Sequence, residues 1–148
     1  MELSGNFTLP FDSTRVFEKL SDARFLVDCI PGNNKILKAD AERAECKVKP
    51  GFTFAPGSLN ATMERAETEP GKSISWNLFG KGIGMSNELQ TKLTLSETDG
   101  TTVVHWQAEF TKLGGLLKAV PQGLIQGAAQ KVIDDVWKSV LDKMTSEK

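Results

Sequence analysis

One histidine, His105, and two cysteines, Cys29 and Cys46, are the whole supply of imidazole and thiol in this chain. A single imidazole rules out a histidine-based metal cluster, and the cysteines have neither metal-ligand nor redox-motif spacing. Glu67, Glu88 and Glu109 are most simply a solvated sheet face. Gly80-Lys81-Gly82-Ile83-Gly84 has the glycine content of a phosphate loop. Such a loop must run into a helix N-terminus, whereas the residues that follow alternate like a strand, so a bend or bulge is expected. Nothing assembles a nucleophile, a base and an orienting group, and no catalytic residue, metal or cofactor is expected. What remains is a long apolar set with two polar members of the same parity, Asn87 and Thr91. A buried amide or hydroxyl needs a partner: protein, water or a ligand carbonyl.

The elements that position this set are legible from periodicity. Pro121 to about Met144 reads as one amphipathic helix, with Ile125, Ala129, Val132, Val136 and Val140 at three- and four-residue steps. Its propensity is modest, so it needs a surface to pack on. Upstream, Glu2 to Leu9 alternates as a strand, and two short helices follow, capped at Asp12 or Ser13 and at Ser21 or Asp22, before Pro31-Gly32. From Lys35 to Lys112, turn signals at Pro50-Gly51, Pro56-Gly57, Pro70-Gly71 and Asp99-Gly100 divide alternating runs into an antiparallel meander. The expected class is α+β, in the order βααββββββα: about seven strands, apolar on one face, curled around the C-terminal helix.

The totals agree with one domain over residues 1–148, long enough to bury roughly 68 to 70% of its unfolded surface. A net charge of −1 offers no footprint for a phosphate backbone, so nucleic acid is not an expected partner. The opening residues lack the basic and apolar regions of a signal peptide, and no apolar run approaches the ~20 residues that span a bilayer. Two cysteines, too few for a disulfide scaffold in a chain of this size, suit a reduced, cytoplasmic setting.

The candidate binding residues are Phe54, Leu59, Met63, Trp76, Leu78, Met85, Asn87, Leu89, Thr91, Val104, Trp106 and Phe110 from the sheet, with Ile125, Ala129, Val132 and Val136 from the helix. They form either a solid core or the lining of a helix–sheet cavity. A second candidate is the segment Leu113, Gly114, Gly115, Leu116, Leu117, Val120 and Pro121, apolar without a clear period. It reads either as a mobile flap able to touch lipid or a partner protein, or as the first turns of the helix packed on Phe52 and Phe54.

Met1-Glu2-Leu3-Ser4-Gly5-Asn6-Phe7, Cys29-Ile30-Pro31-Gly32, Lys47-Val48-Lys49 and Gly123-Leu124-Ile125-Gln126-Gly127-Ala128-Ala129-Gln130-Lys131 together resemble the G-subunit family of carbon monoxide dehydrogenase. That family lies within the START-like, Bet v 1-like helix-grip group. The resemblance implies a sheet gripping a helix around a hydrophobic cavity that takes a lipid- or quinone-like small molecule. It further implies a non-catalytic accessory role beside a molybdenum hydroxylase of the carbon monoxide dehydrogenase type, peripheral at the inner face of the membrane. Two alternatives use the same fold: a cofactor-free enzyme of the polyketide cyclase or hydrolase type, with only Asn87, Thr91 and Arg65 as polar candidates, and a purely protein-binding adaptor.

Overall fold

The computed structural model describes residues 1–49 and 57–147. Its elements are β1 (Glu2–Leu9), α1 (Ser13–Leu20), α2 (Ala23–Asp28), β2 (Asn33–Ala39), β3 (Arg43–Val48), β4 (Leu59–Glu69), β5 (Ser73–Gly82), β6 (Met85–Thr98), β7 (Thr101–Gly115), a 3₁₀ turn (Leu116–Ala119) and α3 (Gln122–Ser146). All seven strands form one antiparallel sheet in the order β1-β7-β6-β5-β4-β3-β2. The turn signals at Pro50-Gly51 and Pro56, like the candidate residues Phe52 and Phe54, lie outside the described residues.

Each short helix begins where a carboxylate satisfies a free backbone N–H. Asp12 Oδ1 accepts from Arg15 N at 2.8 Å, and Asp22 Oδ1 accepts from Arg24 N at 2.9 Å. The Arg24 side chain, hydrogen-bonded to Asp22, holds that carboxyl below its ordinary range. The β6–β7 hairpin turns on Asp99 and Gly100, both at positive φ, 51° and 78°, which matches the twist of the strands it joins. The glycine-rich segment at residues 80–84 is a tighter feature than a bulge. Gly82 pairs with Met85, leaving Ile83-Gly84 as a two-residue turn with Ile83 almost wholly exposed.

Parity places Leu9, Ala44, Cys46, Met63, Ile74, Trp76, Leu93, Leu95, Val104, Trp106 and Ala108 on the buried face. Side chains from β3 through β7 border one space against a single helix. Five strands at ~4.8 Å spacing are about twice as wide as a helix, so they meet it only by curling. Register shifts at Arg65/Thr68 in β4 and at Glu88/Leu89 opposite β7 add local twist.

The C-terminal half of α3 is fastened. Trp137 stacks on Phe7 with centroids 5.3 Å apart, and Val140 and Met144 are fully buried. Arg15 Nη2 donates to the Met144 carbonyl at 3.0 Å, and Lys143 pairs with Asp28 and Lys19 with Glu147, each at 2.8 Å. The helix starts at Gln122, with Pro121 at its N-cap and no side-chain cap.

Candidate ligand-binding cavity

Beyond this clamp the helix and sheet do not close on each other. A cavity of about 360 Å³ lies between them. Leu78, Leu89, Ala129, Val132 and Val136 sit on inward positions yet remain only half-buried, because their free area faces this space. In a solid core those side chains would touch atoms on every side. α1, α2 and the turn after it close one end through Leu20, Leu26, Val27 and Ile30. At the other end Met85 and Leu117 are buried against Leu59, Leu113 and Val120.

Fourteen of the sixteen candidate binding residues border the cavity: Leu59, Met63, Trp76, Leu78, Met85, Asn87, Leu89, Thr91, Trp106, Phe110, Ile125, Ala129, Val132 and Val136. Phe54 lies outside the described residues. Val104 does not border it. It is fully buried where β7 pairs with Phe7 and Leu95, in the packed part of the core.

The segment at residues 113–121 does not form the first turns of the helix. Leu113, Gly114 and Gly115 continue β7 and pair with Asn87, Ser86 and Met85. Residues 116–119 form the 3₁₀ turn, held by Leu116 N donating to the Gly84 carbonyl at 2.7 Å. Leu113 and Leu117 reach the cavity wall, whereas Leu116 is exposed beside Gly84. Gly123 and Gly127 face open space.

Among the wall residues outside the candidate set are Ala44, Cys46 and Val48 on β3, and Trp137 on α3. Alternation in Arg43 to Val48 carries the signal for the first three. Trp137 adjoins Val136 and widens the apolar stripe, as a helix embraced on several sides requires. All three tryptophans of the chain border the cavity.

The wall carries no charged side chain among the described residues. Of its polar residues, Thr62 and Gln107 have outward parity, leaving Asn87 and Thr91. Thr91 Oγ1 donates to the Trp76 carbonyl at 3.3 Å, and Trp76 Nε1 donates to the Leu20 carbonyl at 3.1 Å. The Asn87 side chain has no hydrogen-bond partner among the described residues. Arg65, at the end of β4, is committed elsewhere: Nη1 donates to the Ser21 carbonyl at 2.9 Å and Nη2 pairs with Glu42 at 3.2 Å. His105 is exposed on the outer face, with Nδ1 2.8 Å from Asn6 Oδ1. Burial pushes the Cys29 thiol up to about 11 and raises that of Cys46 as well, so neither is an activated nucleophile.

The outer face carries a larger groove of about 680 Å³, but exposed Glu67, Lys92, Gln107 and Glu109 line it. It brings together no metal-ligand cluster among the described residues. No described helix is long and apolar enough to cross a membrane.

A curled antiparallel sheet, two short helices after its first strand and a C-terminal helix held off an apolar hollow define a helix-grip protein. The chain belongs to the carbon monoxide dehydrogenase G-subunit (CoxG) family, whose model matches residues 5–145. No protein with a curated description matches it significantly. Among solved structures it is similar to a conserved protein from Geobacillus kaustophilus, at 20% identity and a TM-score of 0.87, covering 99% of this chain and 96% of that one. A START superfamily protein from Mycobacterium smegmatis gives 7% identity and a TM-score of 0.71, with 99% of each chain covered. Ara h 8.0201 gives 12% identity and a TM-score of 0.68, covering 99% of this chain and 98% of that one. At these identities the likeness is one of fold. Family and fold together suggest a ligand-binding accessory protein.

Proposed function

We propose that this protein binds a hydrophobic small molecule, lipid- or quinone-like, in the space between α3 and the sheet. In this reading it serves without catalysis beside a molybdenum hydroxylase of the carbon monoxide dehydrogenase type at the membrane surface. The carrying observation is the 360 Å³ hollow with an uncharged, almost wholly apolar wall, within the ~300 to 1,000 Å³ range of small-molecule sites. An unfilled apolar space of this size costs packing energy, which an apolar occupant restores. Exposed Ile83 and Leu116, adjoining at the β5–β6 turn, favour a contact with lipid or a partner near the Met85–Leu117 end. Family membership supports the accessory role. The enzyme alternative needs polar groups converging in the cavity, and Thr91 and Arg65 are already engaged with the protein.

Native mass spectrometry of the purified protein, followed by denaturing extraction, tests the binding claim. The expected result is a stoichiometric apolar passenger, and removing it should lower the melting temperature. An empty protein whose melting no apolar compound raises would overturn it. Co-purification with a molybdenum hydroxylase tests the accessory role separately.

A further inference from the structure

We infer that the occupant is an uncharged amphiphile of ring size whose single polar oxygen, a carbonyl or hydroxyl, is held by the side-chain amide of Asn87. This rests on the ligand-binding reading above. Two polar side chains face the cavity, and they are not equivalent. The Thr91 hydroxyl is used on the Trp76 carbonyl. Asn87 presents two donors and an acceptor with no protein partner among the described residues. An amide left unpaired in an apolar wall is costly, and a ligand oxygen or a water relieves that cost.

The neighbouring strand is shaped around this amide. Gly80 is the cross-strand partner of Asn87, and a Cβ added there would come within 2.9 Å of Asn87 Nδ2 and 3.1 Å of Oδ1. The amide therefore occupies the inward side of Gly80, over its Cα, where any side chain would displace it. Both residues border the cavity.

Charge and volume narrow the class further. An ionised headgroup would find no counter-charge on the described wall, and desolvating it without one costs several kcal/mol or more. A dry cavity of ~150 Å³ takes one benzene, or about 25 Å³ per heavy atom. At that density 360 Å³ holds about 14 heavy atoms, the size of a substituted bicyclic ring. Asn87 is two residues from Met85 and pairs with Leu113 on its other side, which puts the polar end of the ligand toward the 3₁₀ turn. Its apolar body then extends toward Trp76 and Trp106.

Three probes of matched size separate these terms: acetylnaphthalene, isopropylnaphthalene and naphthoate, titrated into delipidated protein by tryptophan fluorescence. Asn87→Leu should weaken the ketone about fivefold, the worth of one net hydrogen bond, while binding the hydrocarbon as well as or better than wild type does. Asn87→Ala, which adds no bulk, should show the same ketone-specific loss. Naphthoate should bind wild type at least about tenfold more weakly than the ketone. If both variants shift ketone and hydrocarbon alike, the Asn87 assignment is wrong, and if naphthoate rivals the ketone, the restriction to an uncharged occupant is wrong; in both cases the ligand-binding reading stands. If neither neutral probe binds wild type, the ligand-binding reading fails, and this inference with it.

Discussion

Replacing Ala129 with Phe gives opposite signs for a hollow and for a packed interior. Ala129 sits on α3 among Ile125, Val132 and Ile133, with its inward side on the cavity. A benzene ring added there takes about 150 Å³. The cavity offers 360 Å³, so the ring enters without displacing the opposite wall. Burying a Phe side chain stabilises by about 1.5 to 3 kcal/mol. The lower helix propensity of Phe and its lost rotamer freedom offset about 1 kcal/mol of this. The net is about +1 kcal/mol, or a melting temperature raised by roughly 2 to 4 °C for a chain of this size. In an already filled core the same ring would overpack and cost about 1 to 3 kcal/mol. The assay is thermal denaturation of delipidated wild type and A129F, followed by titration with isopropylnaphthalene. The expected pair of results is a higher melting temperature with probe binding abolished. A lower melting temperature, with no probe binding to either protein, would refute the reasoning from volume.

Gly115 has φ 63° and ψ −133° where β7 passes into the 3₁₀ turn, and a Cβ there would collide with the Gly84 carbonyl oxygen. Gly115→Ala should cost at least about 2 kcal/mol, seen as a fall in melting temperature; a variant melting with wild type would contradict this junction. Asp22→Ala removes the cap of α2 and should cost about 1 kcal/mol at neutral pH. The folded carboxyl lies below its ordinary value, so its contribution is present above pH ~4 and is lost as pH falls through the lower folded value. The gap between wild type and D22A in urea denaturation should therefore close in acid, and a constant gap would count against the carboxylate as its source. Cys29 and Cys46 are buried thiols with raised pKa values, so iodoacetamide should label the native protein slowly and the unfolded protein fully. Fast native labelling of Cys29 would mean that the clamp around α3 opens readily.

Most of the fold was legible because alternation is a geometric consequence of the strand. Leu3, Phe7 and Leu9 on β1, and Val104, Trp106 and Ala108 on β7, share a face for the same reason that they sit two residues apart. Parity, however, fixes only the side of the sheet. Val104 and Phe110 belong to one strand and one face, yet one is packed solid and the other borders the hollow. The difference depends on where the helix stands off, which is a property of all the elements together. Glycine hid the end of β7. Gly114-Gly115 interrupts the apolar alternation and reads as the start of a flap or of the helix, but the backbone of Gly114 continues the ladder opposite Ser86, whose Oγ fills the place of its missing Cβ. Trp137 escaped because a stripe drawn at three- and four-residue steps is narrower than the arc a curled sheet buries.

The same helix makes both the stability and the hollow, and its two halves divide the work. From Trp137 onward, aromatic stacking, a part-buried arginine–carbonyl bond and two ion pairs tie α3 to β1, α1 and α2. From Gln122 to about Val136 the helix has no side-chain cap, carries Gly123 and Gly127 over open space, and faces the cavity with small or β-branched residues. Small residues on that arc leave the volume unfilled, and the distant clamp keeps the helix from collapsing onto the sheet to fill it. Conformational freedom should then lie in the N-terminal half, beside the 3₁₀ turn and the Ile83-Gly84 turn, because few contacts there oppose it. The ladder that carries Asn87 is paired on both sides, by β5 and β7, and so is held more firmly than that half of α3. Under the proposed function, a polar anchor on a doubly paired ladder opposite the less tethered half of the helix would hold a ligand in a defined orientation and still let it pass.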